Sequence, residues 1–298
     1  LMGVAGEFAG PLAFGFVVWV LGFGAALLAG VRDYRLAVAL GVPVTVVAVM
    51  GSTLVHVVLP LRFGWATPIA VLVLGAGVVR LAFRGRALGS RWQDGPGPHR
   101  GSAPGGRSHR HAGAALRLAL VLGVCLSGAY LAVFLACGQS WETVSQTWDA
   151  LFDANATRAV YQTGVVDPLR ISDFAYPTPI HTYYPSTFHA LGSLQMTLTG
   201  SDAVVATNVV AGLLAGCLWP SVAVLAAWVV LGPDNPRPEM VALLSGGFWS
   251  MPWAPLGWGV LWASALSAAF VPLVAAGVVV VMTGSPVLGR RGAGVLAV

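Results

Sequence analysis

Of 298 residues, 57% are hydrophobic and only 9% are charged, with a mean hydropathy of +0.79, which leaves too little polar surface to cover a water-soluble domain of this length. The formal net charge of +5 does not point to nucleic acid, because the arginines behind it crowd into the connections between apolar runs, where they report orientation across a membrane. The chain reads as an all-α, polytopic integral membrane protein.

The first apolar run covers residues 11–30 and is followed by Arg32, Asp33 and Arg35. Runs at 36–59 and 65–83 follow, so that residues 1–83 form three transmembrane helices, each with the roughly 20 residues that a bilayer requires. No signal-peptide pattern precedes them, and His56 reads as a capped interfacial histidine. Residues 84–113 turn abruptly to Arg, Gly, Ser, Pro and His, with Asp94 as their one acid and no apolar periodicity. They read as a disordered basic loop on the cytoplasmic side, and His99, His109 and His111 as solvated linker residues rather than a metal tract.

That loop orients the rest. A fourth span at 114–137 runs outward and places residues 138–202 on the outer face, from which a span at 203–231 returns. A sixth at 240–256, rich in Gly, Pro and Trp, and a seventh at 258–282 complete a count of about seven. Arg62 is the one arginine that breaks the orientation rule. Cys125, Cys137 and Cys217 read as small apolar residues, not as a disulfide or metal set. Exclusive use of arginine over lysine, with abundant Ala, Gly and Val, fits a GC-rich bacterial genome, and the Leu-Met start and apolar final residues fit a fragment of a longer protein.

Between the fourth and fifth spans lies a polar island that carries six of the eleven acids. Within it, Trp148, Phe152, Ala156 and Val160 recur every four residues as an apolar stripe, with Asp149, Asp153 and Thr157 on an adjacent face and Gly164 as a stop. This predicts an amphipathic helix lying in the outer interface, with Trp148 at headgroup depth. Two carboxylates one turn apart hold a divalent cation, or supply a general base, or simply form a solvated acidic face.

A second cluster runs from Phe174 to Leu191. Its prolines keep it extended as far as Pro185, after which Ser186 is expected to cap a short helix carrying His189 on its first turn, a place suited to phosphate binding or proton transfer. Tyr183 and Tyr184 suit sugar rings or lipid headgroups, and equally suit a loop anchored at the interface by its aromatics.

Trp148-Asp149-Ala150-Leu151-Phe152, Asn155, Tyr161 to Gly164, Tyr184-Pro185 and Phe188-His189-Ala190-Leu191 together resemble a group of actinobacterial polytopic membrane proteins whose layout is similar to the GT-C superfamily of membrane glycosyltransferases. The resemblance implies a sugar donor on a polyprenyl phosphate, a cell-envelope glycan acceptor, Asp149 as the acid of the site, Asp153 as its helper or metal partner, and His189 as a contact to the lipid phosphate. Trp148, Arg158, Arg170, His181, Tyr183 and Tyr184 complete the expected substrate-binding set, with a divalent cation at Asp149 and Asp153 as the candidate cofactor. The chain departs from that superfamily in placing three spans before the acid and in lacking an adjacent Asp-Asp or Glu-Asp pair. Two other classes stay open. A transporter would place ionisable groups near the bilayer midplane, where the expected spans have none, and a non-catalytic envelope scaffold would tolerate replacement of Asp149.

Overall fold

The computed structural model describes residues 2–82, 104–145, 147–174, 182–232, 237–257 and 261–283, with residues 2–5, 104–111, 148 and 283 described by backbone alone. Among the described residues every regular element is helical. In chain order these are α1 (Met2–Leu28), α2 (Tyr34–Val58), α3 (Ala66–Ala82), α4 (Pro104–Ala136), α5 (Trp148–Thr163), α6 (Thr187–Thr199), α7 (Ala203–Leu213), α8 (Trp219–Leu231), α9 (Pro238–Ser245), α10 (Ala254–Gly257), α11 (Trp262–Ala268) and α12 (Val271–Thr283). Short π-helical turns at Leu214–Leu218 and Trp249–Trp253 join α7 to α8 and lead into α10.

Among the described residues five segments are long and apolar enough to cross a membrane, namely Gly6–Leu28, Tyr34–Val58, Ala112–Ala136, Ala203–Leu231 and Trp262–Met282. Two of the seven expected spans are not among these five. The third run forms α3, an apolar helix of 17 residues that falls short of the others. The sixth is broken into α9, the Trp249–Trp253 turn and α10, since α9 stops at Ser245 before Gly246 and Gly247, and Pro252 follows a Met251 that is extended at φ −153° and ψ 125°. Helix α4 begins at Pro104, inside the stretch expected to be loop, while residues 84–103 lie outside the described residues.

Local chemistry sets several ends. Asp33 caps α2 by accepting the Arg35 N–H at 2.9 Å, and its other oxygen pairs with the Arg35 guanidinium at 2.8 Å. Asp202 caps α7 through the Val205 N–H at 3.0 Å. Helices α1 and α2 then pack with almost no side-chain spacer, since Gly22 faces the Gly41 carbonyl and Gly41 faces the Trp19 indole. Polar bonds lock this crossing, with Thr45 donating to the Val18 carbonyl at 2.7 Å and Trp19 Nε1–H to the Val38 carbonyl at 3.1 Å. Gly22→Ala is expected to force the helices apart and destabilise the protein by about 1–3 kcal/mol. Thermal unfolding in detergent checks this against Gly24→Ala, whose added methyl would meet nothing within 4 Å.

The 203–231 segment is the central post. Some 89% of its most apolar stretch is buried, against 61% or less in the other four spans. Around it, Gly212 admits the ring of Tyr130 and Gly216 admits the α4 backbone at Cys125 and Leu126. At one end, Asn208 donates through Nδ2 to the carbonyls of Trp141 at 2.8 Å and Thr143 at 3.2 Å, which fixes the chain as it leaves α4 for α5. Helices α5 and α6 pack on each other and on α7, and α6 also meets α2 and α11. The last of these contacts is a stack of Phe188 on Trp262, with centroids 5.5 Å apart.

Candidate functional site

The site is built on α5. Thr147 caps it by accepting the Ala150 N–H at 3.3 Å, and Gly164 ends it in the left-handed conformation at φ +72°, its N–H donating to the Val160 carbonyl at 2.8 Å. Beyond the cap the chain runs out and back, tied by the Tyr184 N–H to the Pro168 carbonyl at 2.8 Å and by Ser172 Oγ to the Thr182 carbonyl at 2.9 Å.

The inward face of α5 shares Ala156 and Val160 with the stripe expected from the every-fourth-residue pattern but is turned toward the acids. It is Ala150, Asp153, Ala156, Thr157 and Val160, with Asp153 and Thr157 buried and Leu151 exposed. Spacings of three and four together follow a helix of 3.6 residues per turn, whereas a strict repeat of four drifts by about 40° each turn. The two carboxylates consequently part. Asp149 stands exposed on the first turn, and Asp153 points into the protein with 1% of its surface accessible.

Asp153 has a partner. Its Oδ1 lies 2.8 Å from Nε2 of His189, which is fully buried on the first turn of α6. A proton on Nε2 serves the carboxylate and leaves Nδ1 as a buried acceptor without a hydrogen-bond partner. Burial pushes the Asp153 carboxyl above its usual range. The hydrogen bond and charge of His189 pull the other way, and the negative charge of Asp149 adds to the rise.

Aromatic rings close around the pair. Phe152 sits edge-on to His189 at 5.7 Å, Phe188 lies edge-on to it at 5.9 Å, and Tyr184 is tilted against it at 5.7 Å. Tyr184 also meets Phe152 edge-on at 4.7 Å. Partial burial, and then the charges of Asp153 and Asp149, raise the Tyr184 phenol well above its ordinary range, so it remains a proton donor. On the α6 side, Gly192 lets Thr157 approach so closely that an added Cβ would lie 2.7 Å from the threonine methyl.

The other expected residues are dispersed. Ser186 occupies the cap position of α6 but makes no side-chain cap, and its Oγ is buried without a partner. Tyr183 is exposed, and Arg170 is exposed in the turn before the short 3-10 helix Ile171–Phe174. Arg158 is exposed nine residues after Asp149, which at 1.5 Å per residue places it about 14 Å along the helix from that acid. His181 lies outside the described residues, and Trp148 is described only as the first residue of α5. Among the described residues no three His, Cys, Asp or Glu gather as a cation site. With Asp153 engaged by His189, Asp149 faces outward without it. His189, the residue expected to contact a lipid phosphate, is fully buried and bonded to Asp153.

Sequence reasoning missed the Asp153–His189 bond, the packing of Phe188 against Trp262, and Gly192. One signal was present, since a buried acid demands a partner and His189 is the only ionisable side chain in α6.

Helical elements throughout the described residues, with five segments among them suited to crossing a bilayer and, between the third and fourth, a pair of helices that holds a buried acid–histidine bond, define a multi-pass membrane protein. Residues 15–298 match DUF6541, a family of unknown function, and the chain belongs to that family. No curated protein and no solved structure matches the chain.

Proposed function

We propose that this protein is a membrane glycosyltransferase of GT-C type that moves a sugar from a polyprenyl phosphate to a cell-envelope glycan. The reading places it in a bacterial plasma membrane, with the 84–113 loop cytoplasmic and residues 138–202 outside. The observation that carries it is the exposed Asp149 carboxylate, one helical turn from a buried acid–histidine bond and beside a Tyr184 phenol that keeps its proton. In the proposed reaction Asp149 takes the proton from an acceptor hydroxyl, whose oxygen bonds to the anomeric carbon. The bond from that carbon to the phosphate oxygen breaks, and the lipid phosphate leaves with the electron pair.

Tyr184 donates a hydrogen bond to the substrate, and Arg170 is the arginine assigned to the leaving phosphate. Asp153 and His189 act as positioning residues, because their bond joins α5 to α6 just behind the turn that carries Asp149. A second reading, a non-catalytic scaffold, draws on the same bond, since a fully buried pair is also what a structural joint requires. The test supplies membranes containing the full-length protein with a panel of radiolabelled polyprenyl-phosphate sugars. Donor consumption by the wild type and its loss in Asp149→Asn support the enzyme. No consumption of any donor by the wild type, with the protein present at normal level, favours the scaffold.

A further inference from the structure

Arg62 lies in the connection between α2 and α3, just past the end of a segment suited to crossing the bilayer, which puts it at the membrane boundary. Its aliphatic stem rests against Gly164, and the neighbouring Phe63 N–H donates to the Gly164 carbonyl at 2.9 Å. The C-terminal end of α5 is therefore held at the same depth. Arg158 stands six residues before Gly164, about 9 Å along the helix, and is exposed. Neither arginine has an ion pair among the described residues, although each is free to reach outward.

Close to them in the chain are exposed apolar side chains. Val58 is 77% accessible, Leu61 53% and Tyr161 45%. Guanidinium groups interleaved with aliphatic and phenolic surface at a span end match one environment, the layer where lipid phosphates meet acyl chains. The arginines face phosphate oxygens there, and the apolar residues face hydrocarbon.

We infer that Arg62, Arg158 and the apolar residues around them form a docking surface for the phosphate headgroups of anionic phospholipids. This surface is separate from Asp149 and independent of the catalytic reading. It also accounts for Arg62 standing outside the expected cytoplasmic connections, since a lipid phosphate offsets its charge where no acid among the described residues pairs with it.

Native mass spectrometry of the full-length protein in detergent tests it, with phosphatidylglycerol and phosphatidylcholine as probes. Phosphatidylglycerol is expected to be retained over phosphatidylcholine, and the double variant R62Q/R158Q to lower its occupancy of the tightest site about tenfold. R62K/R158K is expected to keep most of the binding, because the charge remains. Equal retention of phosphatidylglycerol by wild type and R62Q/R158Q overturns the inference. So does displacement of the lipid by soluble glycerol phosphate at matched concentration, which would make the site one for free phosphate. Should the glutamine variant not fold, loss of the phosphatidylglycerol preference in a folded R62K/R158K, or its absence in the wild type, overturns it equally.

Discussion

Asp149→Asn is expected to lower sugar transfer by about 10²–10⁴-fold, the usual contribution of a positioned general base, while leaving thermal stability within about 0.5 kcal/mol of wild type. The two halves of this result have separate causes. The substitution removes the proton acceptor but preserves shape, and Asp149 is exposed on the first turn of α5, where it supports no packing. Loss of an acid from a helix N-terminus costs only a few tenths of a kcal/mol. Undiminished turnover in this variant would remove Asp149 from the chemistry and with it the base of the proposed mechanism. A large loss of stability would instead show that the carboxylate has a structural partner.

The opposite balance is expected at the buried pair. Asp153→Ala and His189→Ala each leave one member without its partner inside the protein, at a cost of about 3–5 kcal/mol when the survivor is charged. The double variant is expected to lose less than the sum, because each single change already breaks the same bond. Asp153→Asn is milder, since the amide oxygen still accepts from Nε2–H of His189. Equilibrium unfolding in detergent checks all four.

Its pH dependence follows from the sign of the shift at Asp153. The folded carboxyl binds its proton more tightly than the unfolded one, so this stabilising contribution is complete below the usual carboxylate range. It is lost as pH rises through the elevated folded value. Asp153→Asn is expected to flatten that part of the stability profile, and an unchanged slope would count against the buried, desolvated carboxyl.

Much of the fold is set by properties that act locally. Apolar runs of sufficient length between arginine-bearing connections mark five helices suited to the bilayer, because a backbone in hydrocarbon must satisfy its own hydrogen bonds. The Thr147 cap and the Gly164 stop delimit α5, and both act through neighbouring backbone groups. Asp149 as an exposed acid is legible for the same reason, since it stands in a polar first turn.

The inward face of α5 was not legible. The sequence has two carboxylates at equivalent spacing, and nothing within the helix distinguishes them. Only the docking of α6, whose His189 lies 36 residues beyond Asp153, decides that this acid is buried and paired while Asp149 stays outside. The meeting of Arg62 with the end of α5 is decided in the same way. Length, hydropathy and capping are carried by the residues themselves, whereas burial, pairing and shared depth belong to contacts between segments far apart in the chain.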